Sequence, residues 1–165
     1  VIKTEIDQIP GVINSAGSSF IPPFNWTLPI SLQNEGETVK FDGLIMGQGM
    51  TNLLGLEFIG GSSFDTFQSG STNIIINESA ALKYDLQAGG IFNGFNIKGV
   101  VKDFTAHSLR QLIQPMVIIQ QNPKKLRLFA IKTTGENDEL IKETATKFGL
   151  GEKVLNSTFN NEKNL

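Results

Sequence analysis

Residues 97–119, IKGVVKDFTAHSLRQLIQPMVII, restrict the fold more than any other part of the chain. Ile97, Val100 and Val101 are β-branched and apolar, which suits a half-buried strand. Asp103 follows where that strand ends, and its carboxylate can accept hydrogen bonds from free backbone amides. Ser108 reads as the N-cap of a short helix with Leu109, Leu112 and Ile113 on one face. Pro115 stops the helix, and the run from Met116 to Ile119 reads as a buried strand. These residues form no catalytic set, so the stretch is a structural signature.

The flanking segments add mixed elements. Ile2, Ile6 and Ile9 recur at helical spacing before Pro10-Gly11. Residues 1–9 are therefore expected to be the end of a helix, and the chain a piece of something longer. Val12 to Ser19 begins with two β-branched residues and dissolves into Ser, Ala and Gly, a weak strand at best. Phe20 to Pro29 is expected to be an irregular loop. Two strands, ISLQ from Ile30 and TVKFDGLIM from Thr38, form a hairpin around Glu35-Gly36-Glu37, with Val39 and Phe41 on one side. MTNLLGL (50–56) suggests a turn or two of helix, followed by a short strand from Leu56 to Ile59 and a Gly/Ser/Thr loop over 60–72. NIIIN (73–77) reads as a buried strand and 78–86 as a helix with Ala81, Leu82 and Leu86 inward. Asn93-Gly94 is a type I′ turn signal at the centre of a hairpin over 91–101.

Downstream, LRLFAIKT (126–133) alternates without a purely apolar face, which allows burial on both. Asp138 to Phe148 is the best helix, with Leu140, Ile141, Ala145 and Phe148 as its inner stripe and Gly149 as a C′ residue. This order of hairpins, interrupted helices, a strand and a solid helix predicts an α+β fold rather than a βαβ repeat.

Composition narrows function chiefly by exclusion. A net charge of −2 and a pI near 5.4 do not suggest a nucleic-acid binder. The absence of Cys removes disulfides, thiolate catalysis and Cys-based zinc sites. No apolar run reaches the roughly 18 residues needed to cross a bilayer as a helix. His107, the one histidine, lies four residues after Asp103. A small hydrolase built on that pair lacks a G-x-S-x-G elbow, and two ligands make a poor metal site. Gly47-Gln48-Gly49 and Gly60-Gly61-Ser62-Ser63 lack the Lys of a phosphate loop and read as turns. Sequons occur at Asn25, Asn77 and Asn156, but Asn77 sits at a strand–helix junction where capping explains it better. Phe64, Phe67, Phe92 and Phe95 lie in or beside loops; they either fill a small core or form an apolar patch for partner contact.

NIIINESAA (73–81), IKGVVKDFTAHSLRQLIQPMVII (97–119) and LFAIKTT (128–134) before a charged helix together resemble the MacB-like periplasmic core domain of FtsX-type ABC transporter permeases. IPGV (9–12) after a helix end and MTNLLGLEFIGGSSF (50–64) fit the same order. Ser62-Ser63 departs from the Arg usual in that turn. The signature positions of the resemblance are Gly99, Val100, Val101, Lys102, Asp103, Phe104, Ser108, Leu109 and Pro115.

The resemblance implies a porter-like subdomain, a mixed sheet with helices, into which a second small α+β subdomain is inserted. Residues 1–61 and 122–165 would form the first and 62–121 the second. It further implies a non-catalytic, cofactor-free domain on the periplasmic side of a bacterial inner membrane, tethered by flanking membrane helices, in a Gram-negative setting. Its partners would be a second permease copy or related domain, a cytoplasmic ATPase subunit and a periplasmic protein. Such a domain would couple ATP hydrolysis to export or to an extracytoplasmic event. The competing reading is a free-standing periplasmic or secreted binding or adhesion module, which the Asn-, Ser- and Phe-rich middle also suits.

Overall fold

The computed structural model describes residues 2–18, 27–104, 112–125 and 128–148. Expectations for the loop over 20–26, for His107, for the Ser108 cap with Leu109, for Gly149 and for the C-terminal end concern residues outside these. Helix α1 (Ile2–Asp7) buries Ile6 and ends at the Pro10-Gly11 turn. Strand β1 (Val12–Ser18) follows, longer than its composition suggests. Its small residues are the buried ones: Ser15, Ala16 and Ser18 are almost fully enclosed.

Strands β2 (Leu28–Asn34) and β3 (Glu37–Met46) form the expected hairpin. Its two-residue loop puts both Glu35 and Gly36 at positive φ, 50° and 85°, as a type I′ turn requires. β2 starts before Pro29, within the segment expected to be loop. Pro29 pairs with Asp42, whose own amide donates to Pro115 O on the far side. The missing N–H of Pro29 thus faces the open edge of the hairpin, where it breaks no ladder bond.

Helix α2 (Met50–Leu53) leads to β4 (Phe58–Gly61), then β5 (Asn73–Asn77) and helix α3 (Glu78–Lys83). The second hairpin, β6 (Ile91–Phe92) and β7 (Phe95–Val101), turns at Asn93-Gly94, again with both residues at positive φ. Strand β8 (Met116–Gln120), a 3₁₀ turn at Pro123–Lys125, β9 (Leu128–Thr133) and helix α4 (Asp138–Lys147) complete the described elements. No helix among the described residues is long and apolar enough to cross a membrane.

The strands join in one mixed sheet in the order β4-β7-β5-β8-β3-β1-β9, with β2 beside β3 and β6 beside β7. β5/β7 and β3/β8 are parallel, and the other pairs are antiparallel. An α+β fold with a mixed sheet is therefore established. β4 ends at Gly61, and its partner β7 lies within residues 62–121.

Both faces of the sheet are covered. One core gathers Leu44, Met46, Met50, Ile75, Val101, Phe104 and Ile118 under α2. The other gathers Phe41, Ile74, Ile76, Ala80, Ile97, Val100 and Val117 under α3. β3 serves both, since Phe41 and Leu44 lie on opposite faces of the same strand. In β7 a register shift leaves Lys98 unpaired between Ile97 and Gly99, so Ile97 and Val100 reach the same core despite their odd spacing.

Two helix stripes differ from expectation. In α3, Ala80 points inward and Leu82 is 80% exposed. The helix starts at Glu78, directly after the capping residue Asn77, and that phase places Leu82 on the outer side. In α4 the buried residues are Ile141 and Thr144, while Leu140 and Phe148 keep 45% and 36% of their surface exposed. Thr144 is tolerated inside because its hydroxyl donates to Leu140 O at 2.8 Å.

Candidate functional site

The signature stretch meets α3 at a compact polar joint. β5 passes directly into α3 at Asn77, which is extended (φ −89°, ψ 169°) and has no exposed surface. Asn77 Oδ1 accepts from Ala80 N at 3.1 Å, so the side chain caps the first turn of the helix. The same oxygen accepts from Met116 N at 2.8 Å, and Nδ2 donates to Gln114 O at 2.9 Å. One side chain thereby starts α3 and fastens the entry to β8. Asparagine suits this because it offers an acceptor with two lone pairs beside a donor.

Asp103 closes the joint from the other side. Its carboxylate accepts from Ser79 N at 2.9 Å and from Ser79 Oγ at 2.6 Å. A negative charge at the first turn of a helix is favoured by the unpaired amides there. Lys102 ties the same exit to the residue just before β4: its amide donates to Glu57 O at 2.8 Å, and Nζ lies 3.4 Å from Glu57 Oε2. Val100 and Val101 anchor the strand end in opposite cores, and Phe104 and Pro115 are buried. The chain thus leaves β7 and enters β8 at one point, the first turn of α3.

Gly99 is needed for space. A Cβ there would lie 2.5 Å from Ser62 O and 2.8 Å from the Phe58 ring. The serines that stand where an Arg was expected are both engaged. Ser62 N donates to Lys98 O at 3.1 Å, and Ser63 Oγ and Thr51 Oγ1 lie 2.7 Å apart.

The four phenylalanines are not brought together. Phe64 belongs to the core under α2, whereas Phe92 and Phe95 lie on the opposite face of the sheet. Phe92 stacks in an aromatic group with Phe41 and Tyr84. Phe67 is half-buried in the loop, which Asp65 fastens through Lys98 Nζ at 2.7 Å and Gln120 Nε2 at 2.7 Å. No group of His, Asp and Glu suited to a metal ion occurs among the described residues.

A second polar cluster was not anticipated from the sequence. Lys3 Nζ donates to Asp7 Oδ2 at 2.7 Å, to Ser15 O at 2.8 Å and to Ser15 Oγ at 3.2 Å, while Ser15 Oγ donates to Asp7 Oδ1. Desolvation pushes the Asp7 carboxyl up, but the hydrogen bonds from Lys3 and Ser15 and the Lys3 charge outweigh it and hold it below its usual value. The i, i+4 spacing of Lys3 and Asp7 was legible. The reach of Lys3 to a strand carbonyl was not.

The comparisons with known proteins bear on the fold. The periplasmic region of MacB from Actinobacillus actinomycetemcomitans superposes with a TM-score of 0.59, covering 89% of this chain and 70% of that one at 13% identity. The fold is that of a MacB-like periplasmic domain. The extracellular domain of the noncanonic ABC-type transporter YknZ from Gram-positive bacteria shares this MacB-like fold, with a TM-score of 0.57, 16% identity, and 90% and 82% of the two chains covered. A domain of a protein described as a permease from Porphyromonas gingivalis gives 0.55, 18%, 86% and 71%. No family model matches the chain, and no curated protein matches it. The MacB-like fold occurs in these structures in both periplasmic and extracellular settings, in one case in an ABC-type transporter and in another in a protein described as a permease.

Proposed function

We propose that this chain is the extracytoplasmic domain of an ABC-type permease, a non-catalytic element held at the outer side of a bacterial inner membrane by flanking helices. It would work with a second copy or a related domain, a cytoplasmic ATPase subunit and an extracytoplasmic partner, and would couple ATP hydrolysis to export or to activation of that partner. The MacB-like fold over nearly the whole chain is the observation that carries this reading. A periplasm as the compartment belongs to the proposal, since YknZ comes from Gram-positive bacteria.

Within it, residues 1–61 and 122–165 act as a porter-like unit and 62–121 as an inserted one. The joint at Asn77 and Asp103 carries motion between them, because β8 pairs with β3 of the first unit and β5 of the second. Phe67 and Phe95 are the members of the phenylalanine set with surface left for partner contact.

The test begins with the coding sequence on either side. Two apolar segments of about 20 residues flanking the domain are expected. The full-length protein should copurify with an ATPase subunit. A cleavable secretion signal before residue 1 with a stop after residue 165 would establish the free-standing module instead. In the full-length transporter, Asp103→Ala should lower transport while ATP hydrolysis persists.

A further inference from the structure

We infer that α1, β1, β9 and α4 form one rigid block in which Lys3, Asp7 and Ser15 latch α1 to β1. A displacement of α1 then reaches β1 and β9 without being absorbed in the Pro10-Gly11 turn. The inference rests on the permease reading only for what moves α1; the latch itself stands on geometry.

A helix of six residues joined to a strand by a glycine-containing turn has little stability of its own. Here α1 is fastened twice. The first fastening is the closed ring of Lys3, Asp7 and Ser15. Lys3 Nζ reaches the Ser15 carbonyl three residues inside β1, and the Ser15 hydroxyl, 1% exposed, returns a hydrogen bond to Asp7. Because Ser15 is paired with Ile131 in the ladder, the ring acts on β9 through β1.

The second fastening holds the turn. Asn137 Nδ2 donates to Pro10 O at 2.8 Å and Thr134 N to Gly11 O at 2.8 Å, so residues 10 and 11 are bound to the β9–α4 connection. Gly11 adopts φ 97°, and a Cβ there would lie 2.7 Å from Glu136 O, so the two segments are pressed backbone to backbone. Ile6 has no exposed surface and Ile141 almost none, which adds apolar contact on the α1 and α4 side.

Amide exchange on the 165-residue chain tests this. In the wild type, Ile9 and Val12, whose amides donate to Ile6 O and Ile9 O, should exchange together with the β1 amides. Ser15→Ala and Lys3→Met should each accelerate exchange at Asp7, Ile9 and Val12 about tenfold, with amides of β5, β7 and β8 unchanged. Exchange at those amides within twofold of wild type in both variants would overturn the latch. So would an acceleration spread evenly over the sheet, which marks lost stability alone. Should Ser15→Ala fail to fold, Lys3→Met with Asp7→Asn gives the same readout from exposed positions. None of these outcomes depends on flanking membrane helices, so the latch and the permease reading fail independently.

Discussion

Asn77 Oδ1 lies 2.8 Å from Met116 N, so the residue that begins α3 also fixes the first residue of β8, 39 positions further along. The contact is fully buried, and three backbone groups depend on the one side chain.

Asn77→Ala leaves the amides of Ala80 and Met116 and the carbonyl of Gln114 without their partner. The loss is expected to reach about 3 kcal/mol, more than a surface helix cap contributes. Urea denaturation at neutral pH measures it. A loss below about 1 kcal/mol would mean that water replaces the side chain.

The Asp103–Ser79 pair is shallower, and its carboxylate is partly open to solvent. Asp103→Ala should cost about 1–2 kcal/mol. In a double-mutant cycle with Ser79→Ala, a coupling near 1 kcal/mol is expected, and additive losses would show that the hydroxyl bond contributes nothing.

Two glycines separate crowding from backbone strain. Gly99→Ala meets Ser62 O and the Phe58 ring and should cost about 2–3 kcal/mol. Gly36→Ala meets nothing within 4 Å but must hold φ 85°, which costs about 1 kcal/mol. Thermal denaturation of both variants should place Gly99→Ala clearly lower.

Asp7 predicts an acid-side signature. Its carboxyl titrates lower in the folded chain than in the unfolded one. Its contribution is therefore complete above the unfolded value, near pH 4, and is lost as pH falls through the folded value. The stability gap between wild type and Asp7→Asn should be constant near neutrality and close below about pH 4. A gap that stays the same down to about pH 2 would contradict the assignment.

Leu82 and Ala80 invert a simple hydrophobicity reading of α3. Leu82→Gln should change stability by less than about 0.5 kcal/mol, because the side chain is 80% exposed. Ala80→Leu should cost about 2 kcal/mol by overpacking a site with no exposed surface.

Local signals explain what could be read from the sequence. Asn93-Gly94 and Glu35-Gly36 mark both hairpins because only left-handed turns match the strand twist. Ile74 to Ile76 and Met116 to Ile119 read as strands buried on two faces, and they are. β1 was underrated because its Ser-Ala-Gly run has low strand propensity, and burial between α1 and α2 overrides that preference. Leu140 and Phe148 were misplaced because a stripe counted on hydrophobicity alone passes over Thr144, which satisfies its hydroxyl within its own helix. The capping role of Asn77 was visible at the strand–helix boundary. Its hold on Met116 was not, since nothing local in a sequence reports a partner 39 residues away.

The place of β8 between β3 and β5 has a consequence for synthesis. A nascent chain that has emerged only as far as Pro115 can form both hairpins and the parallel β5/β7 pair. It still presents two raw edges, Asp42–Met46 of β3 and Ile74–Ile76 of β5, each lined by apolar residues. Such edges recruit strands from other chains. The strand that closes the middle of the sheet is translated after both of its neighbours, so the ribosome must carry an unfinished seam until Gln120 arrives.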